Sequence, residues 1–113
     1  VVMLDGDRDL LIEIVDTFLE VSPALMRDMK DAIRSGDAEK LKRTAHTMKA
    51  PARQIGAMRI GQISADLELA AKQDQMSATK VMYNDIKREY DQLEEALKAL
   101  KRKLEMEGII ALG

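Results

Sequence analysis

Apolar side chains recur every three or four positions along most of the chain, which is the spacing of one face of an α-helix. Five segments show this period, and short breaks rich in Gly, Pro, Ser or Asp separate them. No segment of the sequence shows the alternation of apolar and polar residues that is typical of a half-buried β-strand. The pattern therefore predicts an all-α protein.

The first two predicted helices meet at Ser22-Pro23. Asp7 is the expected N-terminal cap of the first helix, because its carboxylate can accept a hydrogen bond from a backbone N–H of the first turn. A Ser cap followed by Pro as the first helical residue is typical of a new helix, so we expect a break there. The second helix should end at Ser35-Gly36, since glycine commonly follows the last helical residue.

The next two predicted helices are shorter. Asp37 should cap the third, which runs to about Gly56, and the fourth should run from about Met58 to Gln73. The inner face of the fourth helix is expected to consist of Ile60, Ile63, Leu67, Ala70 and Ala71.

The last predicted helix, from about Ala78 to Glu107 with Ser77 as its cap, is the longest. Its apolar residues alternate spacings of four and three, as in a heptad seam: Ile86, Tyr90, Leu93, Leu97, Leu100 and Leu104. One interpretation is that the first half packs in the protein and the rest projects into solvent. The alternative is a dimer, in which two chains form a coiled coil through Leu97, Leu100 and Leu104.

Composition restricts the classes of function. The 113 residues suffice for one domain over residues 1–113, which we expect to be a fragment of a longer protein because it begins at Val1. A net charge of −2 gives no basic field for nucleic acid or an anionic membrane, and no apolar run is long enough to span one. With no Cys and one His, we expect no metal site, no cofactor and a cytoplasmic location.

The single histidine, His46, lies in the third predicted helix. At 100° per residue, an apolar stripe falls within about 40° of one line and should face a core: Leu41, Ala45, Met48, Ala52 and Ile55. His46 lies about 140° from Leu41, on the side that should face solvent. The cations on or beside that solvent side are Lys42, Arg43, Lys49 and Arg53.

This arrangement has two interpretations. An exposed neutral imidazole is a competent nucleophile near neutral pH, and nearby cations disfavour its protonated form. The same cations would attract a phosphoryl group and spread the charge of one that is being transferred. The alternative is a solvated basic face that happens to carry a histidine.

The segment Ala45-His46-Thr47-Met48-Lys49, followed by Gly56-Ala57, resembles the signature of histidine-containing phosphotransfer (HPt) domains, the carriers of two-component phosphorelays. In that family the pattern reads roughly His-x-x-Lys-Gly-Ser, with a further Gly downstream. The resemblance extends over roughly residues 4–100, although only the histidine segment is specific.

The resemblance implies a fold, a function and partners. The fold would be an antiparallel four-helix bundle with an additional N-terminal helix and a long C-terminal helix. His46 would accept a phosphoryl group from a receiver-domain aspartate and pass it on reversibly, so the chain would be a carrier and not an enzyme. Its partners would be response-regulator receiver domains and a sensor histidine kinase, and one of these receivers would supply the Mg²⁺.

Further residues would support this role. Lys49, with Lys42, Arg43 and Arg53, would screen the phosphate. The expected docking surface consists of Leu11, Phe18, Ala50 and Gly56.

Glu68 is a candidate for orienting the imidazole. If the third and fourth helices pack antiparallel, residues 46 and 68 lie about equally far from the turn near Gly56-Ala57, so the two side chains could meet. Glu68 would then accept a hydrogen bond from one ring nitrogen and leave the other free for attack. The alternative is an ordinary surface glutamate.

The sequence departs from the family pattern at two positions, where Ala50 replaces the usual Gly and Pro51 a frequent Ser. Pro51 removes a hydrogen bond to the Thr47 carbonyl, at a cost of about 3 kcal/mol, so we expect a kink just after His46. Two alternatives to the carrier remain open. One is an adaptor or dimerisation module that has lost transfer, and the other is the phosphoaccepting domain of a larger histidine kinase.

Overall fold

The computed structural model describes residues 5–112, and within them it confirms the all-α prediction. The helices are α1 (Asp5–Ser35), α2 (Ala38–Gln54), α3 (Met58–Lys72) and α4 (Thr79–Leu112), with a 3₁₀ turn at Met76–Ala78. Helix α2 packs against α1 and α3, and α4 packs against the same two helices. Because the connections are short, successive helices run antiparallel and form a four-helix bundle, with the α2–α3 face opposite the α1–α4 face.

The bundle encloses one apolar core to which every helix contributes. Its largest fully buried apolar side chains are Phe18, Met29, Leu41, Met48, Leu67 and Ile86. All five residues predicted for the inner face of α3 are buried. None of the helices in residues 5–112 is both long and apolar enough to cross a membrane.

Helix α1 is continuous through Pro23, so the predicted break at Ser22-Pro23 is wrong. Ser22 is fully buried, and its hydroxyl forms a 2.9 Å hydrogen bond with the Tyr90 hydroxyl instead of capping a helix. Pro23 leaves the Leu19 carbonyl without its helical donor, at a cost of about 3 kcal/mol. Buried residues on both sides of Pro23, among them Phe18 and Met26, contribute about 1.5–3 kcal/mol each, which offsets that cost.

Other predicted helix ends differ in detail. Asp37 caps α2 as predicted, and its carboxylate accepts a 3.0 Å hydrogen bond from the Lys40 backbone N–H. Asp7 lies inside α1, because the described helix already begins at Asp5. Ser77 lies within the 3₁₀ turn, and α4 begins at Thr79, whose hydroxyl donates to the Met76 carbonyl at 2.6 Å.

The C-terminal half of α4 lies along the N-terminal half of α1. The Phe18 and Tyr90 rings are 6.2 Å apart, and further along the pair Lys101 Nζ lies 2.6 Å from an Asp16 carboxylate oxygen. Leu97 and Leu104 of the heptad seam are buried within the chain. The prediction of a projecting, solvated rod is therefore wrong, because α1 is long enough to cover the seam.

Candidate functional site

Helix α2 presents His46 to solvent by burying its opposite side. Four residues of the predicted stripe, Leu41, Ala45, Met48 and Ala52, are fully buried, and Ile55 at the C-terminal cap is half-buried. The His46 side chain is 68% exposed. One edge of the ring is therefore accessible to another protein.

Glu68 reaches the histidine from α3. Its Oε2 lies 2.5 Å from His46 Nδ1, and its Oε1 accepts a 2.8 Å hydrogen bond from Lys49 Nζ. The Glu68 side chain is only 11% exposed, so these contacts occur at the edge of the packed interior. The interpretation of Glu68 as an ordinary surface glutamate does not fit this burial.

The carboxylate is held in its charged form. The hydrogen bond from Lys49 lowers the pKa of Glu68, and the contact with His46 adds to this effect, while burial opposes it. An ionised carboxylate can only accept hydrogen bonds, so Nδ1 of His46 must carry the hydrogen. The lone pair of a neutral ring then lies on Nε2, the nitrogen that is not bonded to Glu68.

An open depression of about 430 Å³ surrounds the ring between α2 and α3. Its lining residues are Lys42, Arg43, His46, Thr47, Glu68 and Lys72. Of the predicted phosphate-screening residues, Lys42 and Arg43 lie here, and Lys42 also pairs with Glu39 at 3.2 Å. The cationic lining therefore combines one turn of α2 with the end of α3.

Two cations differ from the sequence prediction. Arg53 lies elsewhere, in a smaller depression with residues of α3 such as Met58 and Gln62, because it is almost two turns beyond His46. Lys72 lines the histidine site and was not predicted. It follows Glu68 by four residues, so the spacing on α3 could have identified it.

An apolar groove of about 460 Å³ between α1 and α2 lies beside the histidine depression. Its lining residues are Thr17, Val21, Ala24, Leu25, Thr47, Ala50, Pro51 and Gln54. Thr47 lines both the groove and the depression. Of the predicted docking residues, the exposed Ala50 lies in this groove.

Two other predicted docking residues belong to the core. Phe18 is 2% exposed and packs against Tyr90, so it cannot form a docking surface. Leu11 is half-buried and packs against the same core. The groove residues Val21 and Leu25 lie on α1, one on each side of Pro23. The predicted break at Pro23 would have placed them in two different helices.

The two unusual positions near the histidine are accommodated locally. Helix α2 continues through Pro51 to Gln54, and the Pro51 carbonyl accepts a 3.1 Å hydrogen bond from the Ile55 N–H. The expected kink stays a prediction. Gly56 is exposed and adopts a φ of 80°, which allows the chain to turn from α2 into α3. This backbone conformation favours glycine by itself, so a contact with a partner is not needed to explain the residue.

The described residues contain no group of three or more His, Cys, Asp or Glu side chains that could hold a metal ion. The site thus combines an exposed imidazole, a buried carboxylate and cations. Its chemistry is that of a nucleophile for an anionic electrophile.

The chain is similar to known proteins in sequence and in fold. Residues 13–103 match the sequence model of the Hpt domain. The crystal structure of histidine-containing phosphotransfer protein B (HptB) from Pseudomonas aeruginosa PAO1 is similar, with a TM-score of 0.78 and 24% sequence identity over 81% of this chain and 80% of that chain. This structural likeness supports the bundle fold. No curated protein sequence matches the chain significantly.

The match to the Hpt model, over more than half of the chain, defines a phosphotransfer protein with a helical-bundle fold. The chain belongs to the Hpt domain family. Proteins of this family act in two-component phosphorelays as carriers, in contact with histidine kinases and receiver domains.

Proposed function

We propose that this chain is a phosphocarrier in which His46 accepts a phosphoryl group from the aspartyl phosphate of a receiver domain and passes it reversibly to another. One observation carries the proposal: the exposed His46 ring is fixed through Nδ1 by the buried carboxylate of Glu68. A surface histidine without such a partner would rotate freely and sample both tautomers.

The transfer step follows from this geometry. The lone pair on His46 Nε2 forms a bond to phosphorus while the bond between phosphorus and the aspartyl oxygen breaks, and the leaving aspartate keeps that electron pair. No proton has to move, because Nδ1 retains its hydrogen. The ring becomes positively charged as the new N–P bond forms, and the Glu68 carboxylate stabilises that charge.

The cations act on the phosphoryl group. Lys42, Arg43 and Lys72 line the depression around the ring and attract its negative charge. Lys49 acts through Glu68, because its ammonium group is bonded to that carboxylate. The receiver domain supplies the Mg²⁺ and the remaining groups that stabilise the transition state.

We assign docking to the apolar groove beside the site. Val21, Leu25, Ala50 and Pro51 give this groove an apolar lining within reach of the histidine face. A receiver domain that buries this groove would hold its aspartyl phosphate in front of the depression, and the small Ala50 side chain allows a close approach. A cytoplasmic location follows from such partners and stays a prediction.

The experiment is a transfer assay with a panel of receiver domains labelled by acetyl [³²P]phosphate. We expect label on the wild-type chain, loss of that label in His46→Gln, and return of label to unlabelled receiver. The control variant is Asp66→Asn, which changes an exposed carboxylate of α3 and should accept label normally. A folded wild-type chain that takes no label from any receiver would overturn the carrier proposal.

The same assay tests the alternatives. Label that arrives only from ATP through a histidine kinase catalytic domain would identify the phosphoaccepting domain of a kinase. No label from either source would favour the adaptor. The structure removes one argument for a dimerising adaptor, because Leu97 and Leu104 are buried against the chain's own helices.

A further inference from the structure

A second depression, of about 500 Å³, lies between α1 and α4, on the face opposite His46. Its lining residues are Lys30, Ile33, Arg34, Lys80, Tyr83, Asn84 and Lys87. Four of these seven side chains are cationic and none is a carboxylate. A chain with a net charge of −2 thus concentrates positive charge in one groove that the transfer reaction does not use.

Three of the four cations have no ion-pair partner among the described residues. Lys87 pairs with Asp91, whose two carboxylate oxygens each lie 2.6 Å from Lys87 Nζ. Within residues 5–112, Lys30, Arg34 and Lys80 form no ion pair. These three cations are therefore available to an anionic ligand.

The helical spacing places these cations on facing stripes. Lys30 and Arg34 are one turn apart on α1, where like charges at this spacing destabilise a helix. Lys80 and Lys87 are two turns apart on α4, and the Asn84 amide lies between them. Such an arrangement is unfavourable in the isolated chain, and a bound anion would relieve it.

The floor of the groove is apolar. Ile33 and Tyr83 are half-buried and pack against the core. Tyr83 lies in the groove lining together with all four cations. Burial raises the pKa of its hydroxyl, the charges of Lys87 and Arg34 oppose this rise, and those of Asp91 and Asp31 add to it.

We propose that this groove binds a small phosphorylated ligand, whose phosphate groups lie among Lys30, Arg34 and Lys80 while its apolar or aromatic part packs on Ile33 and Tyr83. The volume lies within the range of small-molecule sites, which is roughly 300–1,000 Å³. Convergence of several cations in so small a volume fits a compact polyanion better than the widely spaced charges of an acidic protein segment. The lining contains no His, Cys, Asp or Glu side chain, so we assign this groove to binding.

Calorimetric titration with ADP, pyrophosphate and adenosine, combined with amide NMR shifts, tests this proposal on the intact chain. Both phosphate compounds should bind and shift the amides of Tyr83 and Asn84, while adenosine alone should not. Tighter binding of ADP than of pyrophosphate would show that the apolar floor contributes, and equal binding would show that the phosphates suffice.

Exposed cations allow matched variants that do not disturb the core. Arg34→Gln and Lys80→Gln should each weaken ADP binding by roughly fivefold, and the double variant should weaken it by more than tenfold. Lys103→Gln removes an exposed cation further along α4 and should leave the affinity unchanged. Phosphorylation of His46 should proceed normally in all three single variants.

Three outcomes would overturn the proposal. The first is that ADP and pyrophosphate do not bind at millimolar concentration. The second is that binding shifts the amide of Thr47 instead of Tyr83 and Asn84, which would place the anion at the histidine. The third is a polyglutamate peptide that binds this groove more tightly than either phosphate compound, which would identify an acidic protein surface as the partner.

Discussion

The α2–α3 and α1–α4 faces carry depressions of similar size that are both lined by cations, but only the first contains a histidine. On the α2–α3 face a buried carboxylate, Glu68, lies among the cations and fixes a histidine. On the α1–α4 face the cations surround Ile33 and Tyr83, and no histidine lies there. Under the two proposals, cations attract phosphate on either face, whereas transfer also requires a histidine whose orientation a carboxylate fixes.

The two faces also differ in what holds their helices together. Further along the α1–α4 pair, the aromatic pair of Phe18 and Tyr90 and the hydrogen bond between Ser22 and Tyr90 join the helices. Burial raises the pKa of Tyr90 to about 12, so this hydroxyl stays protonated across the physiological range. The α2–α3 face is joined at the site itself, where Glu68 of α3 bonds His46 and Lys49 of α2.

The largest expected effect comes from the packing beneath the α1–α4 face. Phe18→Ala should lower the free energy of unfolding by about 3–5 kcal/mol, because it leaves a cavity beside Tyr90. Leu10→Ala, at a position of the same helix that is 55% exposed, should change it by less than about 0.5 kcal/mol. Urea unfolding measures both. A Phe18→Ala variant of normal stability that no longer binds receivers would restore this residue to the docking surface.

The next effect concerns the carboxylate that distinguishes the α2–α3 face. Glu68→Gln keeps the size of the side chain but removes its charge, and should slow phosphorylation of His46 by about tenfold or more. In the proposed mechanism Glu68 positions the ring and is not part of the docking surface, so the maximal single-turnover rate should fall while the receiver concentration at half-saturation stays unchanged. The tautomer ratio seen by ¹⁵N NMR of the ring should also shift. Asp66→Asn is the matched control, and an equal loss there would show that Glu68 has no special role.

Replacing one cation on each face by glutamine tests whether the two faces act separately. Lys72→Gln should slow phosphotransfer by about two- to fivefold, since it weakens the field at the incoming phosphoryl group. Lys80→Gln should leave transfer unchanged, because it lies on the opposite face. Rapid-quench assays at low and high salt measure both, and the effect of Lys72→Gln should shrink at high salt. Equal losses in the two variants would mean that the faces do not act separately.

The smallest expected effect is the pH dependence of stability that Glu68 confers. Its pKa is lowered in the folded chain, so its contribution is fully present above the ordinary carboxyl pKa. The contribution is lost as the pH falls through the folded-state pKa. Wild type should therefore unfold at a higher temperature than Glu68→Gln at neutral pH, and the two should converge in acid. A difference that grows on acidification would contradict the assignment of an ionised Glu68.

Much of the fold and the centre of the site were predictable, because they depend on periodicity. The stripe of α2 placed His46 toward solvent, and equal distances from the turn near Gly56 placed Glu68 beside it. The differences begin at Pro23, where the local rule for helix starts conflicts with the continuous stripe that joins Phe18, Ser22 and Met26. A first helix that ended at Ser22 would be too short to cover Leu97 and Leu104, so the sequence alone leaves the seam of α4 to solvent or to a second chain.

The remaining errors concern side chains whose role depends on a neighbour distant in sequence. The sequence predicts Phe18 as a docking residue, whereas the structure packs it against Tyr90. Lys72 lines the histidine depression and Arg53 does not, because the depression extends toward the end of α3 and not toward the end of α2. A helical projection gives the direction of a side chain around one helix. Which residues of a second helix lie beside that side chain is known only from the packed structure.

Thr47 borders both the apolar groove and the histidine depression, and this shared boundary limits how the protein can evolve. In the proposed carrier, a substitution at this position that adapts the groove to a new receiver would also alter the space beside the phosphoryl group. Changes confined to Val21 or Leu25 avoid that conflict, because they lie on a different helix from the nucleophile. Divergence of partner choice among duplicated copies should therefore accumulate on α1 before it reaches α2.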